Sequence, residues 1–155
     1  MRFGLIDRII ELNRHERVVA VKAVTLAEEY LSDHFPTFPV LPGVLILEAM
    51  AEAAAWLVRD AQDFAPNVIL LREARNVTYK SFVKPGNLLT LKVDCRRLEN
   101  DESEFSGSGF CNEEEVVKAR FSLTHFSVGA DAKSLVAGGL GQASDARAMF
   151  ERLRG

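Results

Sequence analysis

Apolar side chains alternate with polar ones from Arg17 to Thr25 around Val19, Val21 and Ala23, a two-residue period rich in β-branched residues that predicts a strand. Leu5 to Leu12 mixes apolar and charged residues at similar spacing, and the polar run Asn13-Arg14-His15-Glu16 between the two segments reads as a hairpin turn. The texture then changes. Pro36, Pro39 and Pro42 recur every third residue, which forbids a regular helix or central strand and predicts a stiff, extended loop. From Val44 to Asp60 the chain is rich in Leu, Ala, Ile and Met without Gly or Pro, the composition of a helix, and it is apolar on nearly every side. Such a helix must be wrapped, since in water it would expose a large apolar patch. The alanines at 49, 51, 53, 54 and 55 let neighbouring backbone come close.

After Pro66 come strand-like segments at Val68–Arg72, Asn76–Phe82, Leu88–Leu98, Ser103–Cys111 and Val116–Val128, separated by turn signals such as Pro85-Gly86-Asn87, Asn100-Asp101 and Asn112-Glu113-Glu114. A hairpin, one buried helix and a run of strands on short turns predict an α+β fold with an antiparallel sheet curled around the helix. Gly129 to Ala143 is Gly- and Ala-rich and reads as a linker; Ser144 is placed to cap a short final helix with Met149, Phe150 and Leu153 on one face. The expected organisation is one domain over 1–129, then a linker and C-terminal helix over 130–155.

Length and composition agree with one core: 155 residues, 48% hydrophobic and 26% charged, describe an ordinary globular domain rather than a disordered or fibrous chain. A formal charge of -3 disfavours nucleic acid as a partner. Two cysteines, Cys95 and Cys111, are too few for a disulfide framework or a zinc site and are expected to be reduced. Asp7 and Arg8 arrive before any long apolar run, so no signal peptide is expected, and the longest apolar stretch, Val44 to Val58, carries Glu48 and Glu52 and is short for a membrane span. These features predict a cytoplasmic protein.

Glu48 is the odd residue of the apolar helix, where burial should favour its protonated form and suit it to general acid catalysis; alternatively a partner satisfies it as a carboxylate. His34, between Asp33 and Phe35 at the edge of the proline loop, has the side chain best matched to proton abstraction near neutrality, or is a solvated loop histidine. Gly43 opens the helix, where unpaired N–H groups favour negative charge and could form an oxyanion hole, or it simply eases the turn. His15 and His125 have no neighbouring chemistry in the sequence.

Taken together, the run from His34 through Phe35, Pro36, Thr37, Phe38, Pro39, Val40, Leu41, Pro42, Gly43 and Val44 to Glu48 and Ala51 resembles the signature of the (3R)-hydroxyacyl-acyl-carrier-protein dehydratases of fatty acid synthesis. Ile6 to Val24 is similar more weakly, and Val83-Lys84-Pro85-Gly86-Asn87 resembles a second landmark, so the likeness spans roughly 3–128. It implies the hot dog fold, a homodimer able to assemble into a trimer of dimers, and an active site at the dimer interface beside an apolar acyl tunnel. By position, His34 would take the C2 proton, Glu48 would protonate the departing C3 hydroxyl, and the Gly43 N–H would hold the thioester oxygen, with no metal or organic cofactor. The implied partner is an acyl carrier protein, for which Arg72, Arg75, Lys80 and Lys84 could form a docking patch or be ordinary solvated charges.

The chain also departs from that pattern. Asp33 and Thr37 stand at usual glycine positions, Glu52 replaces the glutamine one turn after the acid, and Glu73-Ala74-Arg75 replaces a glycine-isoleucine-aspartate run. Glu48 and Glu52 share a helix face, so burial together would favour a single shared proton. Two other functions stay open: a thioesterase or enoyl-CoA hydratase of the same fold, and a non-catalytic subunit that binds acyl chains or pairs with an active homologue.

Overall fold

The computed structural model describes residues 4–129 and 143–155. Strands β1 (Arg8–Asn13) and β2 (Arg17–Ala23) form the expected hairpin, with His15 in the left-handed region at its turn. A 3-10 turn (Glu29–Leu31) and the proline loop lead into α1 (Gly43–Ala61). Four strands follow: β3 (Val68–Tyr79), β4 (Leu88–Leu98), β5 (Glu102–Cys111) and β6 (Glu114–Phe126), before the final helix α2 (Ala143–Arg154). All six strands pair antiparallel in one sheet, ordered β1-β2-β4-β5-β6-β3, and α1 packs across it. This is the hot dog arrangement.

Two boundaries differ from the sequence reading. The segments 68–72 and 76–82 are one strand, β3, with register shifts between Leu71 and Glu73 and between Arg75 and Thr78, where Asn76 takes a positive φ. Its polar interruption, Glu73-Ala74-Arg75, lies on an edge strand exposed over most of its length, so no apolar alternation is demanded there. Helix α2 begins at Ala143, which puts Ser144 in its first turn rather than at a cap. The expected linker lies almost entirely outside the described residues.

The core is built on α1. From Ala53 to Arg59 every residue is buried, wrapped as its composition requires. Gly107 in β5 allows the close approach, since a Cβ there would come within 2.8 Å of Met50 Sδ. Toward its N-terminus the helix is not wrapped all round: Val44 (71% exposed) and Glu48 form an open stripe one turn apart.

Past α1, Asp63 and Phe64 both adopt positive φ, which turns the Phe64 ring into the core. Helix α2 closes over it. Phe150, 3% exposed, meets Phe64 edge-on at 5.4 Å and stacks near Trp56 at 6.0 Å, while the Arg147 guanidinium covers Phe64 at 4.5 Å and donates to the Asp63 carbonyl at 2.9 Å. Phe150→Ala is expected to cost about 3 kcal/mol of unfolding free energy, from lost burial and the cavity left behind, measurable by urea denaturation.

His125 in β6 is buried among core residues with neither ring nitrogen in a hydrogen bond to the described residues. Burial lowers its proton affinity, only partly offset by the backbone of Asn100 and Glu102 and the carboxylates of Asp101 and Glu102. The unfolded chain therefore binds this proton more readily. The stability contributed by neutral His125 is expected to be full above about pH 6.5 and to fall progressively as pH drops below it. His125→Leu should remove that part of the slope in denaturation curves taken between pH 7 and pH 5.

Candidate active site

The proline loop is held at both ends. The Leu41 N–H donates to the Val83 carbonyl at 2.8 Å, tying it to the turn at 83–87, and that turn is fixed in its own right by Gly86 N–H to Val24 O (2.8 Å) and Val24 N–H to Asn87 O (3.0 Å). Phe35 and Phe38 exchange backbone hydrogen bonds, and the Val40 N–H donates to the His34 carbonyl at 2.9 Å. The result is a compact turn that presents His34, half-buried, with the Phe35 ring stacked on it at 4.3 Å.

His34 Nδ1 lies 3.0 Å from the Val40 carbonyl oxygen. A carbonyl only accepts, so neutral His34 must carry its proton on Nδ1 and its lone pair on Nε2. Nε2 has no partner among the described residues. The imidazole is thus oriented as a base by a backbone group, which the sequence could not reveal because every residue carries a carbonyl.

At the start of α1, the Leu45 and Ile46 N–H groups donate to the Pro42 carbonyl at 3.0 and 3.2 Å. The N–H groups of Gly43 and Val44 have no partner among the described residues and remain available to an oxyanion. Gly43 has a neighbour not foreseen: a Cβ would fall 2.7 Å from the Tyr79 ring, which packs over this turn from β3, so a side chain here would have to displace that ring. Tyr79 is distant in sequence from Gly43, and nothing in the local pattern signals the contact.

Glu48 departs from expectation. The chain leaves it exposed on the open stripe of α1 and does not supply the apolar surroundings anticipated for it. The more enclosed carboxyl is the half-buried Glu52, one turn further on. It accepts a hydrogen bond from the Leu5 N–H to Oε2 at 3.1 Å. Burial pushes its pKa up to about 7, against the pull of that N–H, with Glu48 raising it further and Arg59 and Lys22 opposing.

No hydrogen bond joins His34 to Glu48 among the described residues. Around them the surface is apolar: Phe35, Phe38, Val44, Tyr79 and Phe82 are all exposed, with Phe38 and Phe82 meeting edge-on at 5.7 Å. Of the four cations expected to form a docking patch, three already face carboxylates, Arg72 with Glu102, Arg75 with Glu73 and Lys80 with Glu115, whereas Lys84 sits over the Phe38 ring at 5.0 Å.

A family model described as a FabA-like domain matches residues 1–120, which takes in the proline loop, all of α1 and the sheet up to β6. The chain belongs to the FabA-like family. Among curated relatives, it is 39% identical over 130 residues to a 3-hydroxyacyl-[acyl-carrier-protein] dehydratase FabZ of Verminephrobacter eiseniae, covering 82% of this chain and 87% of that one. A protein of the same description from Koribacter versatilis is 35% identical over 119 residues, covering 76% of each. Among solved structures, the dehydratase heterocomplex ApeI:P from Xenorhabdus doucetiae superposes with a TM-score of 0.67 at 20% identity, covering 79% of this chain and 83% of that one. A hypothetical thioesterase with coenzyme A from Streptococcus pneumoniae does so at 0.56 and 17%, covering 77% and 85%. At those identities the structures establish the shared fold. Helix α2 lies beyond the region matched by the family model.

The orientation of His34 is directly measurable. Nitrogen-15 shifts of labelled imidazole at a pH where His34 is neutral should show the proton on Nδ1, and a dominant Nε2–H tautomer would contradict the Val40 contact.

Proposed function

We propose that this protein is a 3-hydroxyacyl-[acyl-carrier-protein] dehydratase of fatty acid biosynthesis, removing water from (3R)-hydroxyacyl thioesters to form trans-2-enoyl thioesters. The observation that carries the reading is the orientation of His34: its Nδ1 is held by Val40, its Nε2 lone pair is free, and its loop runs directly into the helix that bears Glu48 and the unpaired Gly43 N–H. The relatives named for this reaction match the chain over three quarters of its length or more.

In this reading His34 Nε2 removes the C2 proton, and the negative charge passes toward the thioester oxygen, which the Gly43 N–H at the positive end of α1 stabilises. Glu48, protonated, gives its proton to the C3 hydroxyl. The C3–O bond breaks, water leaves, and the electrons of the C2–H bond become the C2–C3 double bond. His34 is then cationic and Glu48 anionic, and exchange with solvent resets both. Base, acid and oxyanion donor all come from side chains and backbone.

The site is completed by a second copy of the chain. Glu48 and Val44 face outward from the open stripe of α1, and β3 presents a twelve-residue edge with Leu70 and Tyr79 exposed. Pairing β3 with its counterpart would cover this apolar surface and bring the Glu48 of one subunit toward the His34 of the other. Burial of Glu48, absent in one chain, would then arise at the interface. The fold over 1–129 carries the chemistry, and α2 braces the far end of α1. An acyl carrier protein delivers the substrate, with Lys84 a cation at the mouth that no carboxylate among the described residues engages. The unpaired Cys95 and Cys111 suit the reducing cytoplasm.

His34→Ala and Glu48→Gln should each lower kcat for dehydration of a hydroxyacyl carrier-protein substrate by about 100-fold to 10,000-fold without loss of folding, as judged by circular dichroism. Mixing the two variants should restore turnover, since a heterodimer holds one intact site. Near-normal turnover in either variant would remove that residue from the assignment.

A further inference from the structure

The half-buried carboxyl one turn beyond Glu48 has no task in the chemistry above, and this inference rests on the reading of Glu48 as the general acid. We propose that Glu52 is a positioning residue for that acid: pinned by the Leu5 amide, it holds a proton in common with Glu48 and governs the pH range over which Glu48 can donate.

Three observations carry this. Glu48 and Glu52 are four residues apart on α1, a spacing that places their Cβ atoms about 6 Å apart on one helix face. Glu52 is half-buried between α1 and the N-terminal segment, and one of its oxygens already accepts the Leu5 N–H at 3.1 Å, which fixes the carboxyl in place. Among the described residues, the charged groups that face it are Glu48 and Arg59 on its own helix and Lys22 on β2. Arg59 is buried against the Trp56 ring at 4.8 Å, and Lys22 is engaged by Glu28 at 2.7 Å and Asp7 at 3.4 Å. Neither cation forms an ion pair with Glu52 among the described residues, so the carboxyl's natural compensation is its own proton. Its enclosure pushes its pKa up to about 7 and keeps that proton on Glu52 close to neutrality.

Two carboxyls so placed lose their protons in succession. The second leaves only when two like charges can stand side by side, and hence at a higher pH than it would from a lone carboxyl. After Glu48 has given its proton to the leaving hydroxyl, its carboxylate can accept a hydrogen bond from the Glu52 hydroxyl, which needs no co-reactant. A glutamine at 52 could make the same contacts, but it holds no exchangeable carboxyl proton and never becomes an anion.

Glu52→Gln tests this. The amide oxygen can still accept the Leu5 N–H, so folding should persist, while the alkaline limb of the kcat profile should move down by about half a pH unit, seen as an extra threefold loss of turnover at alkaline pH relative to pH 6.5. A second measurement does not depend on turnover. In carbon-13 glutamate-labelled protein, the Glu52 carboxyl midpoint should fall in Glu48→Gln, because the neighbouring anion is gone. An unchanged limb in Glu52→Gln or an unchanged midpoint in Glu48→Gln overturns the proposal. Wild-type turnover in Glu48→Gln would instead overturn the acid role itself, and the carbon-13 midpoint still reports whether the pair is coupled.

Discussion

Everything in this fold depends on seating one apolar helix in a curved sheet. Seven consecutive residues of α1, Ala53 to Arg59, are buried, and the small side chains along that stretch, with Gly107 beneath Met50, let helix and strands approach closely enough to exclude water. A larger side chain at 107 would strike Met50 Sδ. Toward the N-terminus of the helix the sheet covers one side only: Ile46, Ala49 and Met50 are buried, while the face carrying Val44 and Glu48 stays open. The N–H groups of Gly43 and Val44, without partners among the described residues, and the carboxyl of Glu48 lie where the packing of the helix opens.

That division also explains why two glutamates one turn apart differ. Glu52 falls where the N-terminal segment crosses the helix, so it loses water and gains a single amide donor; Glu48 falls on the open stripe. The energetic preference for a proton follows enclosure, not residue type. His34 is controlled by different means. Its loop is fixed by backbone hydrogen bonds to Val40 and Val83, and the ring is oriented by a carbonyl, so its tautomer is set without any second ionisable group.

The far end of α1 has its own constraint. Asp63 and Phe64 leave the helix in left-handed conformations that only dense packing sustains, and Phe150 and Arg147 of α2 provide it. The brace lies outside the region matched by the family model, and it packs on the core at the end of α1 away from the proline loop.

Much was legible in the chain itself. Proline spacing marked the loop at 36–42, unbroken apolar composition marked α1, two-residue alternation marked most of the strands, and the succession from His34 through Gly43 to Glu48 marked the family, because each of these is a property of neighbouring residues. What the sequence could not contain was distance between remote residues. Only the folded chain decided that β3 runs through its polar interruption as an edge strand, that Tyr79 fills the space beside Gly43, that Val40 rather than a carboxylate orients His34, and that Glu52 rather than Glu48 is the carboxyl deprived of water. Burial and electrostatic environment are sums over segments that meet only on folding, and no local pattern records them.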